Sequence, residues 1–145
     1  MDPVRLKAET LESFSHVPRP AKAEITSHDC DECNSLSSDF WPYFPSDLPL
    51  EVLDSHVFDL PLLTDEAKQF YLPAWILRSI DRPVSNYTDA LLMELNTDHR
   101  WFPTPPYTKR QWTLIESYLE YVERLGVQDL AEPISKAKER LSVLP

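Results

Sequence analysis

The stretch 64-TDEAKQFYLPAWILRSI-80 decides the fold. Thr64 is a helix N-cap by residue type, and Asp65 and Glu66 follow where the positive end of a helix favours anions. Ala67, Phe70, Tyr71, Leu72, Ala74, Trp75, Ile76, Leu77 and Ile80 then make the segment apolar around most of its circumference. A helix of that kind has no face to give to water, so it predicts a central buried helix that the rest of the chain must enclose. Pro73 lies inside it and, lacking an N–H and crowding the preceding turn, is expected to kink or split it.

Working outward, Asp2 and Pro3 suit an N-cap and a first helical position, and Val4, Leu11 and Phe14 recur near helical spacing until Pro18 and Pro20; this predicts a first helix over about residues 3–16. Thr26 or Ser27 is expected to cap a second helix ending near Phe40, with Cys30, Cys33, Leu36 or Ser37, and Phe40 as its apolar stripe. Trp41-Pro42-Tyr43-Phe44-Pro45 cannot continue a helix and reads as a corner packed over the core, followed by a short helical stretch over about 50–58. Residues 86–95 predict a further helix, and Trp101 to Pro106 a second loop of aromatics and prolines.

In the last third, Thr108-Lys109-Arg110-Gln111 has the capping-box pattern, and the helix it opens runs to Leu125. Gly126 follows where a left-handed residue is wanted. Trp112, Ile115, Leu119 and Val122, beside Leu114, Tyr118, Tyr121 and Leu125, give that helix a broad apolar arc, and a final helix is expected over 128–141. Alternating strand patterns are weak throughout. The reading is therefore all-α: one compact single-domain bundle over 1–145 of about six helices with two Pro/aromatic-rich loops, residues 1–24 forming a loosely attached N-terminal helix and a Pro-containing linker.

Composition narrows the chemistry. The 145 residues hold one glycine against 14 prolines, so no Gly-rich phosphate cradle and no G-x-S-x-G elbow can be built. A 42% hydrophobic content is ample for a core. Fourteen Lys and Arg against 24 Asp and Glu give a net charge of −10, which repels phosphate backbones and anionic lipid surfaces and attracts cationic ones; nucleic acid and membrane are not expected partners. Met1 to Leu11 alternate charged and apolar residues without an apolar run, so a cytoplasmic protein is expected.

His28-Asp29-Cys30-Asp31-Glu32-Cys33 is the sharpest chemical motif: His28, Cys30 and Cys33 are three zinc-type ligands within six residues, but a structural site needs a fourth and no second pair follows. The alternative places both thiols as small hydrophobes on a buried stripe. Redox chemistry at the same pair is disfavoured by Asp31 and Glu32, whose charge opposes thiolate formation, and by the lack of a βαβ context. A Cys-His pair would need Cys30 or Cys33 to meet His56 or His99, which sequence separation leaves open. Glu116, Glu120 and Glu123 form an acidic ridge on the outside of the penultimate helix, and Trp41 and Trp101, within their proline-rich loops, are candidates for a recognition surface.

The segments H-D-C-D-E-C at 28–33, L-L-T-D-E-A at 62–67 and F-Y-L-P-A-W at 70–75, with the helix from Gln111 to Val122, resemble a family of small bacterial proteins classed as a domain of unknown function. That resemblance implies a bacterial, cytoplasmic, helical protein and transfers no catalytic residue. The function expected from the residues is a non-enzymatic acidic module that binds a basic protein partner without a cofactor, as an immunity-type inhibitor or adaptor does. The alternative is a small zinc-binding or Cys/His-dependent protein centred on His28, Cys30 and Cys33.

Overall fold

The computed structural model describes residues 1–96 and 107–142. Its α-helices are α1 (Pro3–Ser13), α2 (Asp31–Phe40), α3 (Leu50–Ser55), α4 (Asp65–Asp81), α5 (Asn86–Leu95), α6 (Lys109–Arg124) and α7 (Gln128–Ser142). Three short 3₁₀ turns, Lys22–Glu24, Pro45–Asp47 and Leu60–Leu62, join them. The fold is all-α, with seven helices among the described residues where about six were expected. Those residues form no strand, only one antiparallel bridge between Thr26 and Leu63.

Helix α4 is the centre, and α1, α5, α6 and the Pro45–Asp47 turn all pack on it. Thr64 caps it by accepting the Ala67 N–H at 3.1 Å, and Phe70 to Ile76 are buried without a break. Of the expected kink or split, the split does not occur: α4 continues through Pro73 as one helix. The proline removes one intrahelical hydrogen bond, a cost outweighed by burying large side chains on both sides of it.

Polar bonds stitch the surrounding helices to that core. The capping box of α6 forms in full: Gln111 N–H donates to Thr108 Oγ1 at 3.2 Å, and Thr108 N–H to Gln111 Oε1 at 2.9 Å. Gln111 is itself buried, its Nε2 donating to the Ser13 carbonyl and its Oε1 accepting from Gln69 Nε2, so one side chain ties α1, α4 and α6 together. Ser79, Thr88 and Tyr118 share a buried hydroxyl cluster between α4, α5 and α6. Burial there pushes the Tyr118 hydroxyl up to about 12, which keeps it a neutral donor at any physiological pH. Gly126 takes φ 68° after α6, as the sequence predicts.

Two boundaries differ from expectation. The N-terminal segment is not loosely attached: Leu6, Thr10 and Phe14 are buried, α1 packs on α4 and α6, and the linker is bonded to the chain ahead of α4 through Thr64 N–H to the Ile25 carbonyl at 2.9 Å and Thr64 Oγ1 to the Glu24 carbonyl. The same bonding moves the start of α2. Thr26 bridges antiparallel to Leu63, the Ile25 carbonyl accepts from Thr64 N–H, and the Thr26 hydroxyl meets that of Ser37 at 3.0 Å, so neither Thr26 nor Ser27 caps a helix. Cys30 is the N-cap instead. The first aromatic corner packs on α4 as expected, Tyr71 donating to the carbonyls of Phe40 and Tyr43. The second expected loop, with Trp101 and His99, lies outside the described residues.

Lys68 on α4 and Glu94 on α5 form an ion pair at 2.6 Å with both side chains largely withdrawn from water. Removing one partner of such a pair strands a charge, whereas replacing both does not. Lys68→Met is expected to lower stability by about 3–5 kcal/mol in chemical denaturation, and adding Glu94→Leu to recover most of that loss.

Candidate functional site

The densest group of titratable side chains lies where the start of α2 meets the chain between α3 and the Leu60–Leu62 turn. Cys30 precedes α2 in extended conformation, and its Sγ accepts the Cys33 N–H at 3.4 Å, the hydrogen bond of an N-cap. One turn on, Cys33 is buried while Cys30 is exposed. Asp31 and Glu32 occupy the first turn, where anions complement the helix end, and both point outward.

His56 closes α3 and is 5% exposed. Its Nε2 lies 2.8 Å from Asp39 Oδ2 and its Nδ1 2.7 Å from Asp59 Oδ2. Each ring nitrogen thus faces one carboxylate oxygen, and neither is left for another partner. The Phe40 ring packs edge-on against it at 5.6 Å. Asp59 also faces Glu32, and a carboxyl–carboxyl hydrogen bond with it, reinforced by its negative charge, raises the Glu32 pKa above the ordinary carboxylate value. Asp39, His56, Asp59 and Glu32 thus form one titratable group beside the cysteine turn.

Sequence reasoning named His56 only as a candidate partner for Cys30 or Cys33. Its only local signal is Asp59 three residues on; Asp39, seventeen residues upstream, becomes a partner only through the packing of α2 on the end of α3. Both ring nitrogens are committed to carboxylates, so His56 is not aimed at either thiol as a base. His99, the other candidate base, lies outside the described residues.

His28 is exposed and lines a shallow groove of about 590 Å³ with Lys22, Thr26 and Asn34, a groove whose lining includes neither thiol. Among the described residues no group of three His, Cys, Asp or Glu side chains is placed to hold a metal ion. Cys30 also leaves the buried stripe on which the sequence placed it, because the helix begins one residue after it; Cys33 alone occupies that stripe.

Of the partner-binding candidates, Glu116 and Glu120 are exposed on the outer face of α6. Glu123 continues the row but is bonded to Lys138 of α7 at 3.2 Å, so the ridge is shorter than its sequence spacing implies. Trp41 is 41% exposed and carries the Arg19 guanidinium 4.9 Å from its ring centre. Phe44 flanks the same guanidinium at 4.8 Å, and Arg19 donates to the Trp41 carbonyl. The corner is therefore an aromatic pair already holding a cation. Trp101 lies outside the described residues.

No family model, no curated protein and no solved structure matches the chain.

The raised Glu32 pKa fixes a pH dependence. A carboxyl whose folded pKa exceeds its unfolded value favours the folded state below the unfolded value, and that contribution is lost as pH rises through the folded one. Glu32→Gln removes the loss, so thermal melting should show the variant level with wild type below about pH 4 and above it at neutral pH, the gap opening from the ordinary carboxylate range upward.

Proposed function

We propose that this protein is a non-enzymatic acidic binding module that docks a basic protein partner, in the manner of an immunity-type inhibitor or an adaptor. The observation that carries the reading is the exposed pair Glu116 and Glu120, one turn apart on α6 with no ion pair to any described residue, on a chain of net charge −10. Many of the cations are occupied within the fold. Lys7, Lys68, Arg110 and Lys138 pair with Asp81, Glu94, Glu12 and Glu123, Arg19 is held between Trp41 and Phe44, and Arg140 donates to the Asn96 carbonyl. The unpaired excess is acidic and faces water, which supports fast, salt-sensitive association with a cationic surface.

The His56 cluster does not favour an enzyme in this reading, because its imidazole is saturated by two carboxylates and buried. Its chemistry is that of a structural clamp between α2 and α3. Among the described residues no helix is long and apolar enough to cross a membrane.

The test begins with a tagged protein in lysate of its own source, washed at low and then high salt, followed by kinetics on the purified partner. A basic partner released by salt is expected, and Glu116→Lys with Glu120→Lys should slow its association by about tenfold while leaving dissociation nearly unchanged. Equal association rates for wild type and variant would remove α6 from the interface; a neutral or acidic partner would overturn the charge argument altogether.

A further inference from the structure

We propose that Cys30 and Cys33 form a dithiol modification site, in which the exposed Cys30 thiol exchanges with a low-molecular-weight disulfide and the buried Cys33 thiol then closes an intrachain disulfide across the first turn of α2. Two features of the turn carry this. The two residues meet at the cap: Cys30 Sγ accepts the Cys33 N–H at 3.4 Å, which holds the Cys30 sulfur against the turn that carries Cys33. Residues three apart at a helix start have Cβ atoms roughly 5–6 Å apart against the roughly 3.5–4.5 Å that a disulfide spans, so closure draws the cap residue in by about 1–2 Å. The thiols are, moreover, unequal in access, Cys30 exposed and Cys33 buried, which separates an attacking from a resolving role.

The chemistry balances in two exchanges. The Cys30 thiolate attacks one sulfur of the small disulfide, forming a mixed disulfide and expelling one thiolate. The Cys33 thiolate then attacks the Cys30 sulfur, the protein disulfide forms and the second small thiolate leaves. Two protein thiols are oxidised, one small disulfide is reduced to two thiols, and the two protons released by the cysteines end on those thiols. A reducing thiol pool runs both steps backwards.

The surroundings set the pace. The hydrogen bond to Cys30, burial, and the negative charges of Glu32 on α2 and Asp59 before the Leu60–Leu62 turn all hold the Cys33 thiol above its ordinary pKa. His56 bonds Asp59 and so fixes that charge in place. The Lys22–Glu24 turn, which also packs on α2, brings only the exposed Lys22 and Glu24. The second exchange is therefore the slow one near neutral pH. This is a slow, reversible modification site rather than a thioredoxin-like catalyst, which reconciles it with the acidic residues that disfavour rapid thiol chemistry here.

The experiment treats the full chain with oxidised glutathione and follows intact mass and cysteine peptides with time. Wild type is expected to pass through a glutathione adduct on Cys30 to a species lacking two hydrogens whose peptide map joins Cys30 to Cys33. Cys33→Ala should stop at the Cys30 adduct, and Cys30→Ser should leave Cys33 unmodified on the same timescale. Closure should accelerate with pH beyond the ordinary thiol range of about 8.5, and Glu32→Gln should speed it about threefold at neutral pH. Because alanine at the buried position can weaken the fold, helicity of each variant is checked by circular dichroism, and the wild-type peptide map decides by itself. A wild-type adduct that never closes, or equal reactivity of Cys33 in Cys30→Ser, overturns the proposal.

Discussion

Helix α4 has no solvent face along Phe70 to Ile76, and that single constraint organises the molecule. A cylinder apolar on all sides must be surrounded, so α1, α5, α6 and the Pro45–Asp47 turn are drawn onto it. Enclosure then obliges the buried polar side chains of α4 to find partners inside the protein. Trp75 Nε1 donates to the Val57 carbonyl at 2.9 Å, Tyr71 to the carbonyls of the aromatic corner, Ser79 shares its hydroxyl cluster, and Gln69 meets Gln111. Each of these bonds fixes a neighbouring segment in register, so the polar network follows from the apolar helix.

The titratable cluster is a consequence of the same enclosure. The chain from Phe40 to Leu63 has to wrap one flank of α4, which brings the end of α3 against α2 and places His56 between Asp39 and Asp59. Burying an imidazole there without both carboxylates would leave a ring N–H unpaired in a poorly solvated site. The carboxylates that satisfy the ring crowd the start of α2, where Asp59 meets Glu32 and both act on Cys33. The clamp and the cysteine turn therefore share one electrostatic environment, and a change in charge at Glu32 or Asp59 reaches both.

The outer surface follows a different logic. Cations are spent holding elements together, Lys7 between α1 and α4, Lys68 between α4 and α5, and Lys138 between α7 and α6, with Arg19 pinning the linker onto Trp41 and Phe44. Acids outnumber them, and the excess is left to solvent. An acidic exterior over a densely bonded interior is compatible with recognition by charge, in which the fold supplies a rigid platform and the partner supplies the opposite sign.

Sequence alone determined the elements whose causes are local. The Thr108 and Gln111 capping box, the left-handed Gly126, the apolar circumference of α4 and the arc on α6 all lie within a few turns of chain, so residue type and spacing suffice to read them. Tertiary structure decided what depends on distant partners. Pro73 stays inside one helix because core burial outweighs its missing bond; Cys30 becomes an N-cap because Ile25 and Thr26 pair with Leu63 and Thr64; Glu123 leaves the acidic ridge because α7 offers Lys138; and His56 gains Asp39 only when α2 meets the end of α3. The physical reason is the same in each case: contacts formed with residues distant in sequence outweigh a local preference of about 1–3 kcal/mol, and only the folded chain reveals which contacts those are.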